Sequence, residues 1–234
     1  MNAPRALAAV AILGAGFFAL YELVERPESA AFAPVIAHGG AATNAVALTF
    51  DDGPTRGVTD ALLGVLERER VPATFFVVGR AARRAPDLLA RMVRDGDEIE
   101  NHSETHAHLN AMLPARIDAE LARTDAAIVA AGAPAPRYLR PPFGARNAVV
   151  IDAARRHGLQ VVLWNAADDR DPAALAARVR PGAIVLLHDG DRGRGDAGEL
   201  AYQAAEAPAL IRALRARGVR MVTLASLLRG EGGR

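Results

Sequence analysis

Strand-like and helical patterns take strict turns along this chain, and that alternation limits the folds open to it more than any other feature. Strand-like runs occupy residues 45–50, 73–78, 98–101, 138–140, 160–164, 183–187 and 220–222. Helical stretches fall between them at 59–70, 86–95, 113–131, 148–157, 172–179 and 207–217. Successive strands that are each followed by a helix pair in parallel, so an α/β fold is expected, either closed as a (β/α) barrel or open and doubly wound. The seven strand signals favour a distorted or incomplete (β/α) barrel of seven to eight strands. Thr59 is placed to cap the first helix, Pro86 to open the second and Gly96 to end it.

With 234 residues, 51% of them hydrophobic, the chain can bury one substantial core, and a single catalytic-size domain is expected over residues 45–230. The 28 basic residues are all Arg, nearly balance 27 acidic ones and form no run of the kind that binds nucleic acid. Cysteine is absent, which excludes disulfides, thiolate metal sites and cysteine nucleophiles. No serine sits in a G-x-S-x-G elbow, so a covalent acyl-enzyme is not expected. A monomer is expected.

Residues 6–21 carry no charge, and Leu23 and Val24 extend the apolar stretch past Glu22. That approaches the ~20 residues a membrane-spanning helix needs. Residues 1–25 are therefore expected to form an N-terminal membrane anchor helix, with Ala31-Phe32-Ala33 as the cleavage site if the segment is instead a signal peptide. Arg5 precedes the span, which directs the rest of the chain away from the cytoplasm. The expected location is membrane-anchored and extracytoplasmic, or secreted after cleavage. Residues 26–44, rich in Pro, Ala and Gly, read as a tether.

Two adjacent aspartates, Asp51 and Asp52, close the first strand in LTFDDGPT, where Gly53-Pro54 breaks the regular structure. A simple turn would use them, but two neighbouring carboxylates repel unless a positive group sits beside them. In ENHSETHAHLN, His102 and His106 share one face if the segment turns helical, a common metal-ligand pair and most often one for zinc. His108, two residues on, would point elsewhere on such a helix. Parallel α/β folds gather strand carboxyl ends on one face. A two-His, one-Asp metal site with open positions is then easily built, leaving the second aspartate to take a proton from water.

TFDDGP, HSETH, RPPFG at 140–144 and LLHDG at 186–190, in this order, resemble the polysaccharide deacetylases. These are the NodB-homology domains of carbohydrate esterase family 4, and the resemblance spans about residues 46–228. It implies Asp51 as catalytic base, with Asp52, His102 and His106 as ligands of one divalent metal ion. Zinc is expected, and cobalt, nickel or manganese suit the same mixed donors. Arg140 would pair with Asp51 and hold it ionised. Phe143, where many relatives carry tyrosine, would offer its backbone N–H to the oxyanion, and His188 would protonate the leaving amine. Leu186 and Leu187 resemble the lining of the acetyl-methyl pocket, and Trp164 resembles a family tryptophan at a strand end. The sequence LWNAADDRDP departs from the family's D-x-x-D-W: Asp168 and Asp171 keep the spacing, but Pro172 replaces the last tryptophan. Asp168 is the expected partner of His188, with Asp169 offering a second register.

The activity so implied is hydrolytic removal of N-acetyl groups from an amino-sugar polysaccharide, with release of acetate. A domain tethered to a membrane reaches only what lies beside it, so peptidoglycan is the expected substrate. Chitooligosaccharide and acetylxylan are the alternatives. An inactive glycan-binding protein would show a broken metal triad or a missing acid, whereas Asp52, His102, His106 and His188 are all present.

Overall fold

The computed structural model describes residues 34–40, 44–167, 171–190 and 197–230. Its first half contains β1 (Ala45–Asp51), α1 (Val58–Glu69), β2 (Thr74–Val77), α2 (Gly79–Arg84), α3 (Pro86–Asp95), β3 (Glu98–Asn101) and α4 (Pro114–Ala130). There follow β4 (Tyr138–Leu139), α5 (Ala148–Arg156), β5 (Gln160–Val161), β6 (Ala166–Ala167) and α6 (Pro172–Arg178). The last elements are β7 (Ile184–His188), α7 (Ala197–Ala216), β8 (Arg220–Val222) and α8 (Leu224–Leu228). Every strand pair among them is parallel. The order is β5-β4-β3-β2-β1-β7-β6, and β8 pairs the first residues of β1.

The sheet curls into a distorted, incomplete (β/α) barrel, and the doubly wound alternative is not adopted. Segment 34–40 lies across the gap left beyond β5. Ile36 N–H donates to Val161 O at 3.0 Å, Leu163 N–H to Ile36 O at 2.7 Å, and Gly39 N–H to Gly182 O at 2.7 Å. These residues fall within the stretch expected to be a tether, and their backbone covers groups that an uncovered strand edge would leave unpaired. The expected anchor helix over residues 1–25 lies outside the described residues. Among those described, no helix is long and apolar enough to cross a membrane.

Alternation along each strand sorts the side chains onto two faces. Val46, Leu48 and Phe50 of β1, Phe75 and Val77 of β2, and Val185 and Leu187 of β7 pack outward against Leu62 and Leu66 of α1 and Ile211 and Leu214 of α7. Ala45, Ala47, Phe76, Tyr138 and Ile184 point into the barrel. Burial on both faces is why the central strands read as nearly continuous apolar runs.

Helix ends largely follow local chemistry. Pro86 opens α3 and Gly96, at φ 87°, terminates it. Thr59 does not cap α1, which starts one residue earlier after Gly57. Instead its Oγ1 accepts from Thr55 N–H at 2.8 Å and donates to Asp189 Oδ2 at 2.7 Å.

Candidate active site and metal centre

Asp51 ends β1 with its backbone in register with His188 of β7. Arg140, immediately after β4, reaches it from across the barrel. Its Nη1 donates to Asp51 Oδ1 at 2.7 Å and to Thr49 Oγ1 at 2.8 Å, and its Nη2 donates to Leu163 O at 3.1 Å. The guanidinium is wholly buried and lies 4.1 Å from the centre of the Phe76 ring. Burial pulls the Arg140 pKa down while the Asp51 charge pushes it back up. A pair this dry persists because each charge satisfies the other.

Asp52 leaves the strand with φ 75°. Its Oδ1 lies 3.1 Å from His102 Nε2 and 2.9 Å from His106 Nε2. His102 Nδ1 sits 2.7 Å from Arg140 O. A carbonyl only accepts, so Nδ1 carries the hydrogen, and in the neutral ring Nε2 presents a lone pair toward Asp52. Burial opposes the Asp52 charge, yet His102 and His106 hold the carboxyl far below the usual carboxylate range. Burial likewise opposes a charge on His102, but Asp51 and then Asp52 push its pKa up. The pocket therefore favours positive charge between these groups. The ligand atoms of Asp52, His102 and His106 lie within 4.8 Å of one another, so the three could hold a metal ion. Two nitrogens and one oxygen suit zinc or a similar divalent ion.

The helical turn that would put His102 and His106 on one face is not formed. Residues 102–108 follow an irregular path with Ser103 at φ 64° and His106 at φ 57°, and the two imidazole centroids still meet at 5.1 Å. His108 stays out of the cluster because the loop carries it onto Phe143, where the rings stack 4.0 Å apart. Three supports of this loop were not recognised from sequence. Glu104 pairs with Arg83 of α2, Thr105 is held by Glu120 of α4, and Ser103 N–H donates to Asn101 Oδ1 at 2.7 Å. A polar residue beside each ligand was the only signal available for them.

Asp189 is buried under the aspartate pair. Its N–H donates to Asp51 O at 3.0 Å and its carboxyl accepts from Thr59. Burial pushes its pKa up to about 7; Thr59 opposes this, and the charges of Asp52 and Asp51 add to it.

Phe143 adopts φ 62° and ψ 7°; the residue is 43% exposed and its ring lies 4.6 Å from that of His106. Trp164 packs on the inner core and over Gly144, where an added Cβ would come within 3.1 Å of the ring. Leu186 shares the inner face with His188. Leu187 does not line the site as expected: the two-residue period of β7 turns it outward into the core beneath the helices. Asp168 and Asp169 lie outside the described residues. Asp171 caps α6, its Oδ1 accepting from Ala173 N–H at 2.9 Å and Ala174 N–H at 3.2 Å.

Residues 38–162 match a family model described as polysaccharide deacetylase. The chain belongs to the polysaccharide deacetylase family. The family match takes in Asp51, Asp52, His102, His106, Arg140 and Phe143, while Trp164, Leu186 and His188 fall beyond it. The deacetylase is 42% identical over 158 residues to a chitooligosaccharide deacetylase of Bradyrhizobium sp. (strain ANU 289), covering 63% of this chain and 72% of that protein. It is 34% identical over 152 residues to a peptidoglycan-N-acetylglucosamine deacetylase of Listeria monocytogenes serotype 1/2a (strain 10403S), covering 62% of this chain and 32% of that protein. A family 4 carbohydrate esterase from Streptomyces lividans, solved in complex with acetate, shares the fold with a TM-score of 0.69 at 31% identity. That match covers 78% of this chain and 93% of the esterase.

Proposed function

We propose that this deacetylase is a metal-dependent hydrolase that removes N-acetyl groups from an amino-sugar polysaccharide and releases acetate. One observation carries the reading. Asp51, paired with the buried Arg140, stands with its Oδ2 3.8 Å from His102 Nε2 of the two-His, one-Asp cluster.

Asp52, His102 and His106 would hold the divalent ion, with zinc expected and cobalt, nickel or manganese suited to the same donors. When bound, the ion supplies Lewis-acid polarisation of the amide carbonyl. Asp51 takes the proton of the attacking water, and Arg140 aims its carboxylate. The Phe143 N–H stabilises the oxyanion as the water oxygen bonds to the carbonyl carbon. His188 gives a proton to the nitrogen as the C–N bond breaks. Leu186 and Trp164 wall the acetyl group.

Relatives named for chitooligosaccharide and for peptidoglycan N-acetylglucosamine support an N-acetylated amino sugar as the substrate unit. An anchor at residues 1–25 would hold the domain outside the cytoplasm beside the cell wall, which favours peptidoglycan. One chain supplies every residue named, so a monomer suffices.

The test is acetate release from peptidoglycan, chitooligosaccharides and acetylxylan, with and without chelator, beside Asp51→Asn. Chelator-sensitive release from peptidoglycan that the variant lowers by about 10²–10⁴-fold is the expected result. Release from chitooligosaccharides alone would reassign the glycan. No release from any glycan with metal restored would make the protein a binder without catalysis.

A further inference from the structure

We infer that Glu120 of α4 is a positioning residue for the metal centre, holding the ligand His106 in place through Thr105. The inference rests on the metal-dependent reading above.

Glu120 is only 9% exposed, and its carboxylate is committed to one residue of the ligand loop. Oε2 accepts from Thr105 N–H at 2.8 Å, and Thr105 Oγ1 donates to the same carboxylate from 2.9 Å to Oε1 and 3.0 Å to Oε2. A carboxylate so buried is costly unless well hydrogen-bonded, which makes this contact selective for one position of Thr105. The next residue is His106 at φ 57°, a backbone conformation that persists only where its surroundings over-determine it. His106 N–H donates to Ser103 Oγ at 3.1 Å, but Ser103 belongs to the same loop and is itself at φ 64°.

The loop is also tied to α2, by Gly79 N–H to Ser103 O at 3.0 Å, Arg80 N–H to Glu104 O at 3.1 Å, and the 47% exposed Arg83 side chain to Glu104. Those contacts stop at Glu104, whereas the Glu120 tie holds Thr105, the residue next to His106. Ile117, Leu121 and Thr124 flank it on α4 and are fully buried, so the helix cannot shift without opening the core. The position of His106 Nε2, 2.9 Å from Asp52 Oδ1, is thereby referred to α4. Without that tie the loop would reach the ligand geometry only from a wider set of conformations.

The full chain, stripped of metal, would be titrated with zinc against a competing chelator, and its metal-free thermal unfolding recorded alongside. Glu120→Ala is expected to bind zinc about 10–100-fold more weakly, the usual effect of losing a group that orients a ligand. Glu120→Gln, which still offers Thr105 N–H an acceptor, is expected to recover most of that loss. Thr105→Val leaves the packing of α4 untouched and should also weaken binding, and the double variant with Glu120→Ala should lose less than the two single effects combined. Wild-type affinity in both Glu120→Ala and Thr105→Val would overturn the proposal, and a lowered metal-free melting temperature alone would then mark Glu120 as a packing residue. If Glu120→Ala does not fold, Thr105→Val decides. Wild-type protein that binds no zinc would overturn the metal-dependent reading itself, a failure distinct from this one.

Discussion

Apart from the helix cap Arg70, the described non-glycine residues at positive φ are Asp52, Ser103, His106 and Phe143, and all four stand at the site. Each such conformation costs about 1–3 kcal/mol, which the surrounding packing must offset. What the strain achieves is direction: at Asp52 it turns a carboxylate out of the strand, so adjacent aspartates serve different partners. Arg140 shows the same priority of site over stability, since its Nε is buried with no hydrogen-bond partner among the described residues. Arg140→Met would leave Asp51 buried beside no counter-charge. The expected loss is about 3–5 kcal/mol of unfolding free energy, read from urea denaturation of the metal-free protein, together with loss of acetate release. Unchanged stability would show that the pair is not the buried charge compensation described here.

In β7, successive leucines have opposite surroundings. Leu187 joins the outer core with Val46, Leu62 and Ile211, whereas Leu186 lies on the face that ends in His188. Leu187→Ala is therefore expected to cost about 2–5 kcal/mol of stability and leave KM for the acetylated glycan nearly unchanged. Leu186→Ala should raise KM with a smaller loss of stability. Thermal unfolding and steady-state acetate release measured on both variants would separate the roles, and a KM effect at Leu187 would contradict the assignment. Three elements, α2, β6 and α8, carried no readable period. They are six, two and five residues long, too short for alternation or amphipathicity to register.

The barrel as a whole carries buried acids besides those of the site, and these shape its response to pH. Glu100 is buried and accepts from Arg137 N–H and Tyr138 N–H, each at 2.8 Å. Burial, joined by the charge of Glu98, pushes its pKa from an ordinary 4.5 up to about 9, against the pull of those two N–H groups. Between those values the folded protein keeps a proton that the unfolded chain has released. Unfolding then releases a proton, so stability falls as pH rises through this window and the loss is complete above about 9. Glu100→Gln stays neutral and keeps a carbonyl acceptor for both N–H groups. It should flatten the pH dependence, and urea unfolding at pH values on either side of the window would show it; an unaltered slope would remove Glu100 as its source.

Local pattern was enough to establish the parallel α/β class, the strand ends that carry Asp51, Asp52, Arg140 and His188, and the family. Strands and helices are periodic, and burying one face of a periodic element leaves a mark in the order of residues. The same logic, carried through, distinguishes Leu186 from Leu187. The path of the loop from His102 to His106 left no such mark, nor did the tie from Thr105 to Glu120, the burial of Asp189 beneath Thr59, or the use of segment 34–40 to cover the barrel gap. These features arise where non-repeating segments meet after the sheet has curled. Asp51 and Arg140 stand 89 positions apart, and Thr59 and Asp189 stand 130 apart. Only packing of the whole chain brings such groups within hydrogen-bond reach, because their contact depends on where several elements end and on no property of either neighbourhood alone.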